Sequence, residues 1–119
     1  MQFIDQKEAQ HLLRKIPYEQ WLTIGRMMIP KGVHHARISS LGELEWSMRP
    51  TAKTLVVMRF ENLEHWLRAS VGDGYLADQV EETMKKDIPF VEQSQEIYDL
   101  VSARVKSLQS IAGEEVDYV

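Results

Sequence analysis

The chain has 119 residues, 44% of them apolar and 27% charged, with a net charge of −4 and no cysteine. That size and balance fit one globular domain spanning 1–119 with a single core, and they exclude a disulfide framework, a thiolate metal site and a cysteine nucleophile. No apolar run approaches the roughly 18 residues of a membrane span, and the opening MQFIDQKEAQ has an acid at Asp5 where a signal peptide would be apolar, so a cytoplasmic protein is expected.

Asp5 with Glu8 has the spacing of a capping box, and Ile4 sits where a hydrophobic staple would meet Ala9. Ala9, Leu12, Leu13 and Ile16 then form the buried stripe of a first helix, which Pro17 stops. Residues 20–29, QWLTIGRMMI, alternate with period 2 and favour a strand, while Met27 and Met28 keep a helix open. Gly25 marks a bulge or a close backbone approach if this is a strand. The MMIP methionines read as core filler.

PKGVHHAR, residues 30–37, reads as a loop on its Pro and Gly. A second capping box, Ser40 with Glu43, opens a short helix carrying Leu41, Leu44 and Met48. Trp46 lies off that stripe. Leu55, Val56, Val57 and Met58 form a short β-branched run, closed by Phe60, that predicts a strand covered on both faces. Glu61 and Asn62 offer a helix start. Leu63, Trp66, Leu67 and Val71 make one stripe, ended by Gly72. Asp73 can cap the next helix, with Leu76, Val80 and Met84 inward. After a break at 87–89, a last helix starts near Phe90 or Val91. Its stripe runs through Ile97, Leu100, Val101, Val105, Leu108 and Ile111 and ends at Gly113, and the acidic tail GEEVDYV, 113–119, is read as frayed.

This order predicts an α+β fold: a helix-rich single domain with a small, two- to three-stranded sheet packed by helices. Residues 20–29 and 54–60 are expected to pair through the intervening helix as a right-handed βαβ unit. So small a sheet leaves an open edge, and that edge together with the long last stripe suggests a homo-oligomer or a protein partner.

Charge is uneven along the chain. Residues 26–59 hold six bases against two acids, and residues 60–119 hold five bases against thirteen acids. The two blocks are expected to face and neutralise each other. If the basic block is exposed instead, Lys31, His34, His35, Arg37 and Ser40 become candidate ligands for an anion, at the start of the Ser40 helix. The phosphate-loop patterns GxxxxGK[ST] and GxGxxG are absent, as are HExxH and GxSxG. Four histidines, His11, His34, His35 and His65, show no metal spacing, so no metal or other cofactor is expected. No acid sits among apolar residues in a way that argues for a raised pKa. No aromatics interleave with bases as nucleic-acid binding would need.

SLGEL at 40–44 and FENLEHWLRASVGDGYLADQV at 60–80 together resemble an uncharacterised family of small prokaryotic domains. That family has a Ser-Leu-x-Glu-Leu helix, an apolar strand, then a Trp-bearing helix ending in Gly-Asp and followed by Leu-Ala. The likeness covers about residues 40–108. It implies the same order of elements and no activity. The family's strand carries tyrosines and a histidine that Leu55–Phe60 lacks, so no ligand site is carried over. The sequence thus points to a non-catalytic interaction or regulatory module that self-associates. The alternative is a binder of, or enzyme for, an anionic small molecule through the basic stretch 31–37.

Overall fold

A computed structural model describes residues 4–28, 31–50 and 54–113. In chain order it has α1 (Gln6–Leu13), a 3₁₀ turn (Tyr18–Gln20), β1 (Leu22–Met28), β2 (Gly32–Ile38), α2 (Leu41–Met48), β3 (Thr54–Val57), α3 (Phe60–Trp66), α4 (Gly74–Met84) and α5 (Phe90–Ala112). The architecture is α+β: five α-helices and one three-stranded antiparallel sheet among the described residues, with strand order β2-β1-β3. Pro30, Ile29 and the tail beyond Gly113, all read above, lie outside the described residues.

Two expectations are corrected here. The stretch expected to be a loop is mostly strand: from Gly32 to Ile38 it pairs with β1, running from Leu22 opposite Ile38 to Met28 opposite Gly32. The βαβ unit is also replaced. β3 runs antiparallel to β1, with Gly25 opposite Val57 and Met28 opposite Thr54. Once β2 has turned back beside β1, the chain passes through α2 and adds β3 on the free side of β1. No parallel crossover is involved.

Residues directly opposite in an antiparallel ladder share a face. On the inner face Leu22, Ile24, Ile38 and Val56 are buried. They join Leu12, Leu41, Leu44, Leu63, Trp66, Ile97, Val101 and Leu108 in one core. Val56 is 6% exposed but Val57 is 38% exposed, so β3 is covered on one face only, not two. Most of the α5 stripe is used inside the chain: Ile97, Val101, Val105 and Leu108 are buried against neighbouring helices, while Leu100 is half-buried and Ile111 exposed.

The caps follow local chemistry. Asp5, Ser40 and Asp73 accept hydrogen bonds from the backbone N–H of Glu8, Glu43 and Leu76, each three residues on. Caps of this kind are worth about 1 kcal/mol. α3 is the exception: it starts at Phe60, one residue before the expected acid, with Arg59 at the cap position and no side-chain cap. It widens into a π turn at Leu67–Val71, where Gly72 N–H donates to the Leu67 carbonyl five residues back, and stops at Gly72, whose φ of 87° is open to glycine at little cost. Arg14, at the end of α1, donates to the carbonyls of Ser70 and Val71 at 2.8 and 3.0 Å, satisfying acceptors that the helix end leaves over.

The fold also holds acids in the core. Asp73 is 1% exposed and Arg104 8%. Arg104 Nε and Nη2 reach Asp73 Oδ2 and Oδ1 at 2.8 and 2.9 Å, a two-pronged bond linking the start of α4 to α5. Glu45 is also buried and binds Arg49 one helical turn later, at 2.8 and 3.1 Å. The hydrogen bond and the negative charge of Glu45 hold the Arg49 guanidinium pKa above its ordinary value.

Candidate functional site

The outer face of the sheet is formed by the alternate residues of the same strands. Register places Thr23 beside Arg37, Gly25 between His35 and Val57, and Met27 beside Val33. Met27, Val33 and Val57 are 38%, 45% and 38% exposed, so no described element covers this face. Met27 is surface rather than core filler. At the centre, Gly25 has no side chain and cannot gain one freely: a Cβ there would lie 2.9 Å from the Val57 carbonyl oxygen and 3.3 Å from Val33 Cγ1. Val33 Cγ1 and Val57 Cβ both lie within 4 Å of where a Gly25 Cβ would stand, so the two valines flank bare backbone in one exposed apolar patch.

At the other end of this face the 3₁₀ turn brings in aromatic rings. Tyr18 and Trp21 meet at a centroid distance of 4.8 Å. The Arg37 guanidinium lies 4.3 Å from the Tyr18 centroid and 5.6 Å from that of Trp21, and donates a hydrogen bond to the Tyr18 hydroxyl. Lys15 Nζ sits 5.8 Å from the Trp21 centroid. Trp21 is fixed by its Nε1–H, which donates to the Ile16 carbonyl at 2.7 Å. Ile16 N–H in turn donates to the Ser39 carbonyl at 2.6 Å, which holds the turn against the end of β2. Sequence reading missed this cluster. Tyr18 and Trp21 were three residues apart, but their cations come from positions 15 and 37.

The candidate anion ligands are spread out by the strand. Lys31 and Arg37 are six residues apart on an extended chain, roughly 20 Å at about 3.4 Å per residue. His34 and His35 point to opposite faces, and both are exposed. His35 and Arg37 share the outer face, where Arg37 is engaged with Tyr18. Ser40 caps α2 through Glu43 N–H, and Glu43 also accepts a 2.6 Å hydrogen bond from Ser39 Oγ. An acid therefore stands at that helix start.

The two charge blocks do not neutralise each other through ion pairs among the described residues, apart from Arg59 with its near neighbour Glu61. Arg49 pairs inside its own block with Glu45. The acidic block is paired within itself: Arg68 reaches Glu64 and Asp78, Lys86 reaches Glu96, and Arg104 reaches Asp73. The hydrogen bonds that Arg68 donates to Glu64 and Asp78 raise its pKa. In β2, Arg37 has no ion pair among the described residues and is held by Tyr18.

No family model, curated protein or solved structure matches the chain. Among the described residues no three His, Asp or Glu side chains gather as a metal site would need, and no helix is long and apolar enough to cross a membrane.

Proposed function

We propose that this chain is a non-catalytic protein-interaction module that associates with itself, and that the outer face of the sheet is its contact surface. The observation that carries this reading is the bare apolar patch of Met27, Val33 and Val57 on a sheet whose other face is buried at Leu22, Ile24, Ile38 and Val56. Its composition supports the same view. Protein interfaces are enriched in Tyr, Trp, Met and Arg around an apolar centre with a polar rim, and this face offers Tyr18, Trp21, Met27 and Arg37 around the two valines. A single-stranded nucleic acid is a poorer fit. Base stacking needs free ring faces, whereas Arg37 lies over Tyr18 and Lys15 lies over Trp21.

Sedimentation velocity over a concentration series tests the proposal. The unaltered chain is expected to gain mass with concentration. Val33→Asp and Val57→Asp are expected to stay monomeric with little change in stability, about 0.5 kcal/mol, because both positions are solvent-facing. A chain that stays monomeric at every concentration, or one whose association ignores both substitutions, would refute it.

A further inference from the structure

One ionisable side chain stands beside the apolar patch, inside the proposed contact surface. The outward residues of β2 are Val33, His35 and Arg37, and His35 lies opposite Gly25, with Val57 on the far side of the same glycine. Neighbouring strands lie about 4.8 Å apart, which puts His35 and Val57 roughly 10 Å apart across bare backbone. Val33 is the next outward residue along the strand. A partner that covers Val33 and Val57 together therefore closes over His35 as well. The imidazole is exposed in the single chain.

Nothing around His35 favours a positive charge once water is removed. On its own strand the outward neighbours are apolar Val33 and the cation Arg37, and Lys31 stands just before the strand. β1 presents Thr23, Gly25 and Met27, and β3 presents Val57, none of them ionisable. Tyr18 and Lys15 lie at the Trp21 end of the face, and Glu19, the acid of the 3₁₀ turn, lies at that end too, beyond Arg37. No acid faces outward from the three strands. When two copies meet through this same face, each offers the other the same side chains, so the second copy's strands bring no acid either. His34, next in the chain, points to the opposite face.

We infer that His35 makes the self-association of this chain pH-dependent: copies associate while its imidazole is neutral and separate when it takes up a proton. The inference rests on the self-association proposed above and adds its control. Two effects act in the same direction. Removing water from an imidazolium disfavours the charged form, and the Arg37 guanidinium repels it with no carboxylate to offset the repulsion. The associated state therefore binds fewer protons than the separate chains, and lowering the pH drives the copies apart. Histidine is the side chain whose charge changes between about pH 5 and 8, so the control falls in the physiological range. The overall charge of the chain acts the other way. Net charge is −4 at pH 7 and the isoelectric point is about 5.5, so acidification towards that point removes net repulsion and favours association. The direction of the pH dependence separates the two causes.

Sedimentation velocity of the full chain at about pH 7.5 and about pH 5.5, at one ionic strength, tests this. The dissociation constant is expected to be about tenfold or more higher at the lower pH. In His35→Gln, which cannot gain the charge, the constant is expected to be the same at both pH values or lower at the acidic one, whatever its value at the higher pH. His34→Gln is expected to keep the full dependence. Association of the unaltered chain that is unchanged or stronger at the lower pH, or a fall of the same size in His35→Gln, overturns the inference and leaves the contact surface standing. A chain that is monomeric at both pH values removes the self-association and this inference with it.

Discussion

Replacing Arg104 with alanine is expected to lower folding stability by about 3–5 kcal/mol, the cost of leaving one partner of a buried ion pair without the other. The side chains of Arg104 and Asp73 are 8% and 1% exposed and meet through two hydrogen bonds. The carboxylate has a second duty, since its Oδ1 also accepts Leu76 N–H at the start of α4. Without Arg104 that carboxylate stays in the interior with its charge largely uncompensated. Arg104→Lys keeps a charge but not the planar fork, so an intermediate loss is expected. Asp73→Ala removes the cap as well as the pair. The double variant should cost less than the two single losses added together, because the second change removes a group already unpaired. Urea unfolding measures this as a fall in the midpoint at constant slope. A loss below about 1 kcal/mol for Arg104→Ala would give the pair the worth of an exposed salt bridge and contradict its burial.

Trp66→Ala is expected to cost a similar 3–5 kcal/mol, for a different reason. The Trp66 ring is 4% exposed in the core, and its Nε1–H donates to the Gln20 carbonyl at 2.7 Å, just before β1. Alanine removes the buried ring and leaves a cavity between α3 and the sheet. Phenylalanine keeps most of the apolar volume and loses chiefly the hydrogen bond. Gln20 is itself exposed, so water can take the freed carbonyl. Trp66→Phe is therefore expected to cost about 1–2 kcal/mol. Equal losses for the two variants would mean that the indole's volume contributes nothing, against the packing described here.

These two sites show what was legible in the sequence. Trp66 stood on a clean stripe with Leu63 and Leu67, and its burial followed from period alone. The caps were legible for the same reason. Asp5, Ser40 and Asp73 act on a backbone N–H three residues away, and Gly72 and Gly113 act at their own positions. The partner of Asp73 was not legible, because Arg104 lies 31 residues on and only the packing of α4 on α5 joins them.

β2 was missed for another physical reason. A strand is recognised by alternation, and alternation comes from having one face wet and one dry. From Val33 to His35 both faces are wet, so the pattern is lost and only Pro30 and Gly32 stand out. With β2 read as loop, β1 and β3 had no route to antiparallel pairing, and the parallel unit followed. Val57 was misjudged by the same logic in reverse: an unbroken apolar run looks buried on both sides, yet here its outward member belongs to an exposed patch. The open face was therefore concealed in the sequence as core on one strand and as loop on another. The basic stretch stands out in the sequence, but its residues do not converge on one ligand, because the extended strand holds them apart.

Methyl NMR spectra of the full chain, recorded from dilute to concentrated solution at low salt, test the proposed contact surface most directly. The Met27, Val33 and Val57 methyl signals are expected to move together with concentration, while those of Leu12, Leu44 and Leu63 in the core stay fixed. Spectra unchanged over the whole range, or changes that spare the three sheet residues and fall elsewhere, would contradict a contact through the outer face of the sheet.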